Sequence, residues 1–347
     1  MSKKFDLLLL LPILLLLVFS FFILKSVSPS LFPSYFWYFG LGILVFLFFS
    51  LFDFEVVSAF SKYLYIISIL LLLITLTIGQ ATRGTVRWIP IGNLSFQPSE
   101  IVRPFLLVFF ANYLTYQRLD LKRIIHTAIL MAIPLFLILV QPSLGVTALT
   151  AVGFLGLFLA ADLNKKNFLY LGAISLAIIP IVYFLLAPYQ KTRITAFLDP
   201  TSDPLGVGYN AIQSTISVGS GMLFGRGLGK GVGTQLSFLP ERHADFIFAS
   251  ISEEMGFVGA IVLLFLTALI FYRLIKYLEN AMNIPARIFL SGVFLTLFAQ
   301  VFVHVGMNMG LLPITGVPYP LVSAGGSSLL ATMITLGIVV GTKKVKV

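Results

Sequence analysis

The sequence predicts an all-α polytopic membrane protein, and three observations support this. Hydrophobic residues make up 59% of the 347 positions, and charged residues make up only 10%, against about 25% in a soluble domain. Mean hydropathy is +1.03. The apolar residues gather into runs of about 17–25 positions, the length of a helix that crosses a bilayer. Because so few charges remain to cover a water-facing surface, lipid must be the solvent for most of the chain.

About ten such runs are expected to span the membrane as transmembrane helices. The first resembles a signal peptide, because Lys3 and Lys4 precede a leucine run, but no small-residue cleavage site follows it. We therefore interpret it as a retained anchor. The runs lie at 7–24, 35–52, 63–79, 101–117, 124–141, 144–161, 168–187, 245–272, 286–306 and 326–341.

The distribution of Lys and Arg between the loops predicts the orientation. With the N-terminus in the cytoplasm, 14 of the 23 basic residues face inward, the bias that cytoplasmic loops carry. We therefore expect a multi-pass protein of the bacterial cytoplasmic membrane with both termini cytoplasmic. Residues 1–347 would form a single integral membrane domain, within which 188–244 is a large extracytoplasmic loop. An amphipathic helix is expected in that loop near 208–219.

The remaining basic residues concentrate in two outer segments, 83–103 and 191–242. Topology does not require basic residues there, so these segments are where function should be sought. The net charge of +10 lies in short clusters without interleaved aromatics, so a nucleic-acid partner is not expected. Cysteine is absent, which excludes disulfides and thiolate chemistry.

Asp245 is the acidic residue with the clearest catalytic setting. It follows Arg242 and His243 at the start of the eighth run. An Asp in a first helical turn complements the helix dipole, which is sufficient as a structural explanation. A general base acting on an amphiphilic substrate would, however, lie at this water–lipid boundary beside a basic loop. The residues alone leave both interpretations open.

Two further acids, Glu253 and Glu254, lie roughly 12–13 Å beyond Asp245 along the expected helix and therefore deeper in the bilayer. They project from different faces of that helix, so they cannot both join one site with Asp245. At least one is expected to be a buried structural anchor.

Three other segments carry chemistry or unusual backbone. Glu100 and Arg103 are three apart and should pair on one helix face, either as a local salt bridge or as a charge pair lining a cavity. The glycine-rich run 219–233 lacks the Ser or Thr and the preceding strand of a nucleotide loop, so no nucleotide is expected. Close glycine packing and binding of a lipid diphosphate both remain open for it. The proline-rich segment 310–328 predicts a re-entrant element lining a cavity.

The combination and order of these motifs resemble the SEDS family, and the resemblance covers nearly the whole chain. The motifs are Arg87-Trp88-Ile89, Gln97-Pro98-Ser99-Glu100, Pro240-Glu241-Arg242-His243 followed by Asp245, Glu253-Glu254-Met255-Gly256, and Gly306-Met307-Asn308 running to Ser327. The amino-acid sequence around Asp245 and after Asn308 is more similar to the elongation-type than to the division-type members.

The resemblance implies a ten-helix peptidoglycan glycosyltransferase that joins lipid II units and works with a class B penicillin-binding protein. Asp245 matches the family's essential aspartate, Glu100 matches its Gln-Pro-Ser-Glu motif, and Arg87 with Trp88 matches its arginine–tryptophan pair. The chain departs from the family pattern at four positions: Arg103 for the usual Lys, Ser143 for Asp, His304 for Asn and Ala324 for Tyr.

The expected reaction is a glycosyl transfer in which Asp245 accepts the proton of a sugar hydroxyl. The leaving lipid diphosphate needs cations, supplied by basic side chains or by a divalent ion such as Mg or Mn. A lipid II flippase, a division-type polymerase and a non-catalytic scaffold are the alternatives. The residues expected to bind substrate are Glu100, Arg103, Arg87, Trp88, Lys191, Arg193, Arg242, His243 and Ser323.

Overall fold

The structure is a computed structural model. It describes residues 6–82, 85–92, 94–116, 120–161, 186–199, 208–236, 238–281 and 283–343, with isolated positions at 206 and between 166 and 184. Six helices in these ranges are long and apolar enough to cross a membrane, and two shorter apolar helices accompany them. The all-α polytopic fold class is therefore confirmed. The expected span at 168–187 lies mostly outside the described residues.

The helices of the described ranges follow in chain order. They are α1 (Leu7–Val27), α2 (Phe32–Leu51), α3 (Phe54–Ala59), α4 (Ser61–Ile78), α5 (Pro98–Ile101), α6 (Arg103–Thr115), α7 (Leu121–Val140), α8 (Leu144–Ala160), α9 (Pro188–Leu198), α10 (Tyr209–Ser220), α11 (Val232–Gln235), α12 (Ile247–Glu279), α13 (Ile284–Asn308) and α14 (Gly326–Gly341). The expected helix near 208–219 is confirmed as α10. The end of the bundle where α1 begins is called the inner end below, and the end where α1 finishes is the outer end.

The last helix, α14, is the centre of the bundle. Every residue from Gly326 to Gly341 except Val340 is buried. It packs along α2 and against α5 and α6. A Cβ on Gly337 would lie 2.8 Å from the carbonyl oxygen of Phe46, so the two backbones meet where only glycine fits. Small residues at such crossings let membrane helices approach closely, because lipid offers no hydrophobic drive for their association.

Between α4 and α5 the chain forms a three-stranded antiparallel meander that the sequence analysis did not predict. Its strands are β1 (Gln80–Thr82), β2 (Thr85–Ile91) and β3 (Leu94–Phe96), in that spatial order. Ile89 pairs with Phe96 and Ile91 with Leu94, and Gly92 takes a φ of 61° at the turn. β-branched residues before a glycine turn are a hairpin signal, which the search for long apolar runs passed over.

The helix that follows Asp245 differs from expectation at its start. It begins at Ile247 with Phe246 as N-cap, rather than at 245. Asp245 therefore lies in the preceding turn, and the interpretation of Asp245 as a first-turn residue complementing the dipole is wrong. The reason is local: the carbonyl of Glu241, at a φ of 51°, accepts hydrogen bonds from Ala244 and Phe246, which keeps this segment in turns.

The same helix is broken at Gly256, whose φ of 66° and ψ of −162° are open essentially only to glycine. Arg242 Nε donates to the carbonyl of Val27 at 3.0 Å, and Ser26 Oγ donates to Glu254 at 2.5 Å. Both ends of the segment 242–254 therefore lie at the outer end of α1. The expectation that Glu253 and Glu254 lie deep in the bilayer is wrong, because the break at Gly256 separates this segment from the span that follows.

Candidate functional site

An apolar cleft of about 380 Å³ opens at the outer end, between α9, α10 and the segment 309–314 that follows α13. Most of its walls are aliphatic or aromatic, and the charged side chain that lines it is Arg193. A cleft of this size and polarity suits an apolar chain that carries a charged group at one end. Its apolar lining includes Ala196, Phe197, Ile212, Ile216, Met309 and Leu312.

Asp245 and Arg193 meet at Gly316, close to this cleft. A Cβ placed on Gly316 would lie 3.4 Å from Asp245 Oδ2 and 3.8 Å from Arg193 Nη1. The glycine, at a φ of 67°, therefore keeps a space into which both the carboxylate and the guanidinium project. Arg193 Nη1 also lies 3.5 Å from the carbonyl of Ile314, at the wall of the cleft. The structure thus brings a carboxylate and a guanidinium to the same glycine, close to the cleft.

Buried hydrogen bonds hold the backbone of Asp245. Asn308, at the end of α13, is fully buried and donates from Nδ2 to the carbonyl of Asp245 at 3.0 Å. Its Oδ1 accepts from the amide of Ala249 at 3.0 Å, so one amide side chain bridges Asp245 to the first turn of α12. Loss of either bond would leave a buried polar group unsatisfied. Asn308 is therefore a positioning residue for Asp245.

Asn308 is the last of three polar residues spaced four apart on one face of α13. Gln300 Nε2 donates to the carbonyl of Pro318 at 2.9 Å, and His304 Nδ1 lies 2.7 Å from the carbonyl of Val317. The stripe thus orders the irregular segment between α13 and α14. Asn308 belongs to a motif noted in the sequence, but Gln300 does not, although polar residues at i, i+4 and i+8 of an apolar span are a usable signal.

Ser323 lies next to the segment of Asp245, but not as a residue that faces the cleft. It is buried, and its Oγ donates to the carbonyl of Ala244 at 2.7 Å while accepting from the amide of Tyr319 at 2.8 Å. Tyr35 donates to its carbonyl at 2.5 Å. The hydroxyl is fully committed to the backbone, so the expected contact of Ser323 with substrate is replaced by a positioning role.

The other basic residues expected around Asp245 also bond to other parts of the chain. Arg242 is anchored to Val27, as described above. His243 Nε2 lies 3.7 Å from Glu241 Oε2, and its carbonyl accepts from the amide of Ala324 at 2.8 Å. The structure therefore fixes Arg242 and His243 as supports of the turn that leads into Asp245.

Lys191, the remaining basic residue, lies on α9 two positions from Arg193. Its Nζ donates to the carbonyl of Phe184 at 3.3 Å and lies 5.5 Å from the centre of the Tyr183 ring. In this conformation its ammonium is directed toward those residues, whereas Arg193 is directed toward Gly316.

A second charged cluster lies inside the bundle at the start of α6. Arg103 Nη2 is 3.5 Å from Glu100 Oε2, and both side chains are about 95% buried. The expected pair is therefore confirmed. Arg87, on β2, is close enough to interact electrostatically with Glu100, so two guanidinium groups act on this carboxylate. Trp88 is half-buried on the same strand.

Gln97, just before α5, joins this cluster to the rest of the bundle. Its backbone amide donates to Ser327 Oγ at 2.7 Å, at the start of α14. Its Nε2 donates to Ser143 Oγ at 3.0 Å. Ser143, which departs from the resemblance, therefore still receives a hydrogen bond from the Gln-Pro-Ser-Glu motif. Ser323 and Ala324, which bond to the segment before Asp245, immediately precede α14. The Glu100 cluster and the Asp245 segment are therefore both connected to the start of α14.

The glycine-rich run packs into the break at Gly256. Its amides donate to carbonyls that the broken helix leaves open, and its carbonyls accept from the amides beyond the break. Because these amides are used within the protein, the structure supports the close-packing alternative. The bonds are Arg226 to Glu253 at 2.9 Å, Gly227 to Glu254 at 2.9 Å, Phe257 to Met222 at 2.9 Å and Val258 to Leu223 at 3.1 Å.

Glu253 and Glu254 are both buried anchors. The Glu253 carboxylate accepts from the amides of Gly233 and Thr234 at 2.8 and 3.1 Å. The Glu254 carboxylate accepts from Ser26 and from Gln235 Nε2, the latter at 3.0 Å. They fasten α11 to α12 and to α1, as expected for at least one of them.

A divalent cation needs a ligand set, and the described residues do not assemble one. No group of three or more His, Cys, Asp or Glu side chains comes together among them. Glu100 is instead paired with Arg103, Glu253 is bonded to backbone amides and Glu254 to neighbouring side chains. We therefore assign no step to a metal ion.

The fold and the site define a polytopic membrane protein with a carboxylate and a cation at an outer apolar cleft. Comparison with known proteins gives the family: the Cell cycle protein family of FtsW, RodA and SpoVE matches residues 3–346, and the chain belongs to it.

Individual relatives agree with that assignment. The chain is 40% identical over 288 residues to the peptidoglycan glycosyltransferase MrdB of Escherichia coli (strain K12), covering 82% of this chain and 78% of MrdB. It is 36% identical over 289 residues to the probable peptidoglycan glycosyltransferase FtsW of Buchnera aphidicola subsp. Baizongia pistaciae (strain Bp), covering 81% and 75%.

Solved structures share the fold along nearly the whole chain. A chain from the study "Structural coordination of polymerization and crosslinking by a peptidoglycan synthase complex" matches with a TM-score of 0.83 and 32% identity, covering 97% of each chain. The Thermus thermophilus rod shape determining protein RodA matches with a TM-score of 0.73 and 27% identity, covering 97% of this chain and 96% of that one.

Proposed function

We propose that this chain is a peptidoglycan glycosyltransferase that polymerises lipid II at the outer face of the bacterial cytoplasmic membrane and supports cell elongation. The observation that carries the proposal is the meeting of Asp245 and Arg193 beside an apolar cleft, in a chain 40% identical to MrdB. A lipid-linked sugar diphosphate needs a base for its hydroxyl proton, a cation for its diphosphate and an apolar groove for its tail. In this proposal both termini are cytoplasmic and the outer end faces the cell exterior.

In the proposed reaction, a sugar hydroxyl of one lipid-linked unit attacks the anomeric carbon of another. Asp245 accepts the hydroxyl proton as the new C–O bond forms. The bond between the anomeric carbon and the diphosphate oxygen breaks, and its electron pair leaves with the lipid diphosphate. The Arg193 guanidinium stabilises that developing charge through charge-assisted hydrogen bonds.

The cleft explains why the reaction takes place at the membrane boundary. Its apolar walls on α9 and α10 suit the prenyl tail of a substrate, while Arg193 lies where the tail gives way to the diphosphate. Burying a tail in this groove supplies binding energy that orients the reacting groups. Asn308 and Ser323 act on the reaction by fixing the backbone around Asp245.

The charged cluster of Glu100, Arg103 and Arg87 contributes to binding in a different way. Glu100 is held by Arg103, and Arg87 is near enough to interact with its charge. We propose that Arg87 and Trp88 contact the headgroup of a substrate and that Glu100 and Arg103 support them from within the bundle. Lys191, Arg242 and His243 remain proposed contributors at the outer edge of the site.

Two partners complete the proposal. One is a class B penicillin-binding protein, suggested by the match to a chain of a peptidoglycan synthase complex. The other is a divalent cation, Mg or Mn, which the diphosphate itself would have to hold. Comparing polymerisation with added Mg²⁺, with Mn²⁺ and with a chelator tests the second.

The decisive experiment supplies labelled lipid II to the purified protein, with and without the penicillin-binding protein, and separates the products on a gel. We expect a ladder of glycan strands from the wild type and none from Asp245→Asn. Asp199→Asn is the matched control, since Asp199 is an exposed carboxylate of the same outer segment. A folded wild type that makes no ladder, yet moves labelled lipid II across proteoliposomes, would overturn the proposal in favour of a flippase.

A further inference from the structure

The glycine-rich run carries a row of large apolar side chains on its outer surface. Met222, Leu223 and Phe224 are 79%, 61% and 80% exposed, and Leu228 is exposed as well. A patch of this kind is unfavourable in water and marks a surface that another apolar phase or molecule covers.

These side chains do not belong to a loose loop. Backbone hydrogen bonds join Met222 and Leu223 to Phe257 and Val258 on α12, as described above. A Cβ on Gly225 would lie 2.6 Å from the amide of Gly256, so the run and the helix are in direct backbone contact. The apolar row is therefore held at a fixed height on the bundle.

That height is the outer boundary of the bilayer. The bonds join the run to α12 next to Glu254, which contacts Ser26 at the end of α1. The 21 residues of α1 extend about 30 Å at ~1.5 Å per residue, the thickness of a hydrocarbon core. The run therefore lies where the acyl chains give way to phosphates.

The apolar row continues a lipid-facing stripe. Phe257, Ile261 and Phe265 follow at i, i+4 and i+8 on one face of α12 and are 58%, 47% and 60% exposed. Phe257 is bonded through its amide to Met222, so row and stripe are continuous. Because the apolar row is continuous with the stripe on α12, we expect lipid to cover both surfaces, rather than a protein partner to cover the row alone.

Two cations follow the apolar row in the chain. Arg226 and Lys230 are both exposed. Basic side chains next to an apolar surface extend their charged ends to the headgroup level, where lipid phosphates lie. The order along the run, apolar and then basic, fits the order of acyl chain and phosphate across the outer leaflet.

We propose that the segment 222–230 is a membrane-inserted loop and a phospholipid site. Met222, Leu223 and Phe224 enter the acyl region of the outer leaflet, and Arg226 and Lys230 bind the phosphate of an anionic glycerophospholipid. This inference does not depend on the polymerase reaction, because it concerns a surface distinct from Asp245 and the cleft.

Because the chain has no cysteine, single labels can be placed without other changes. We would attach a spin label at Phe224→Cys in vesicles of phosphatidylethanolamine and phosphatidylglycerol. The references are Phe265→Cys on the lipid-facing stripe and Asn280→Cys, exposed just after α12. The Phe224 label is expected to collide with oxygen in preference to a water-soluble nickel chelate, as the Phe265 label does.

A Phe224 label that responds like the Asn280 label would overturn insertion. A label shielded from both reagents only after the penicillin-binding protein is added would show a protein site instead. The phosphate contact is tested separately, by the preference of the protein for spin-labelled phosphatidylglycerol over phosphatidylcholine. Arg226→Gln with Lys230→Gln should reduce that preference by about fivefold per residue, whereas Arg226→Lys with Lys230→Arg should keep it. An unchanged preference in the neutral pair would contradict the phosphate site.

Discussion

Charged residues gather at both ends of the bundle, but they are arranged in opposite ways. At the inner end, Asp6 accepts a hydrogen bond from the guanidinium of Arg273, and Lys343 Nζ lies 4.0 Å from Asp6 Oδ2. At the outer end, the Asp245 carboxylate and the Arg193 guanidinium face a space kept by Gly316, beside an apolar cleft. The inner carboxylate ties three segments of the chain together, and buried side chains hold the backbone on either side of the outer one.

This difference distinguishes charged residues that stabilise the fold from charged residues that are placed to act on a substrate. Asp6 caps α1 and joins it to α12 and to the end of the chain, so its interactions stabilise the folded state. The groups that hold Asp245 are Asn308 and Ser323, which bond to the backbone on either side of the carboxylate. A carboxylate positioned in this way can accept a proton from a bound hydroxyl.

After Asp245→Asn, the largest effect is expected from removing the outer cation. Arg193→Gln should lower the rate of lipid II polymerisation by about 10²-fold, because one preorganised donor to a developing charge contributes about that much. Its melting temperature should stay near that of the wild type, since Arg193 is exposed. Arg273→Gln is the inner-end counterpart and should show the reverse pattern. Equal losses of rate in the two variants would remove the proposed distinction between the ends.

The next effect concerns the support of the outer carboxylate. Asn308→Leu leaves the amide of Ala249 and the carbonyl of Asp245 without their partner, at a cost of about 1–3 kcal/mol. We expect a lower melting temperature and a reduced kcat, because Asp245 is no longer held in place. Thr296→Val is a suitable control on the same helix, since Thr296 bonds only within it, to Gly292. If Asn308→Leu alters stability alone, Asn308 does not position the base.

Disrupting the Asp6–Arg273 pair at the inner end should have a smaller effect, and its effect on stability should depend on pH. Burial raises the pKa of the Asp6 carboxyl, but the hydrogen bond and charge of Arg273 outweigh it, so this pKa lies below its ordinary value. A lowered pKa means that the pair stabilises the fold above pH ~4, the ordinary value for Asp, and that this stability is lost as the pH falls through the lower folded value.

Asp6→Asn should therefore be about 1–3 kcal/mol less stable than the wild type at neutral pH. The difference in melting temperature between the two proteins should shrink as the medium is acidified below pH ~4. Polymerisation at neutral pH and moderate temperature should be retained. Because Asn can still accept from the Leu8 amide as an N-cap, a difference that does not vary with pH would contradict the ion pair as the cause of the destabilisation.

Sequence patterns predicted those features that depend on neighbours in the chain. Apolar runs gave the spans, and the three-residue spacing of Glu100 and Arg103 gave their pair, because both follow from the periodicity of one helix. The short distance from Arg242 to Asp245 placed the site at the outer end. Asp245 and Arg193 approach each other at Gly316, which is distant in sequence from both.

The features that were missed are set by tertiary contacts. The break at Gly256 is stabilised by carbonyls and amides of the run 222–227, about thirty positions earlier, so no local pattern reports it. Ser323 was expected to meet substrate, and only the fold shows that Ala244 and Tyr319 occupy its hydroxyl. The polar stripe on α13 was visible in the sequence, but the segments that it holds were not.

The smallest predicted effect tests how far the two charged clusters are coupled through the start of α14. Ser143→Ala removes the acceptor of Gln97 Nε2, a neutral hydrogen bond whose loss costs about 1 kcal/mol. Because Gln97 also donates its amide to Ser327, a disturbance there can reach the segment of Ser323 and Asp245. We expect a slightly lower melting temperature and a decrease in polymerisation of less than about threefold. Ser143→Asn, which keeps an acceptor at this position, should restore both, whereas an equal loss in the two variants would mean that the size of the side chain, not its hydrogen bond, matters there.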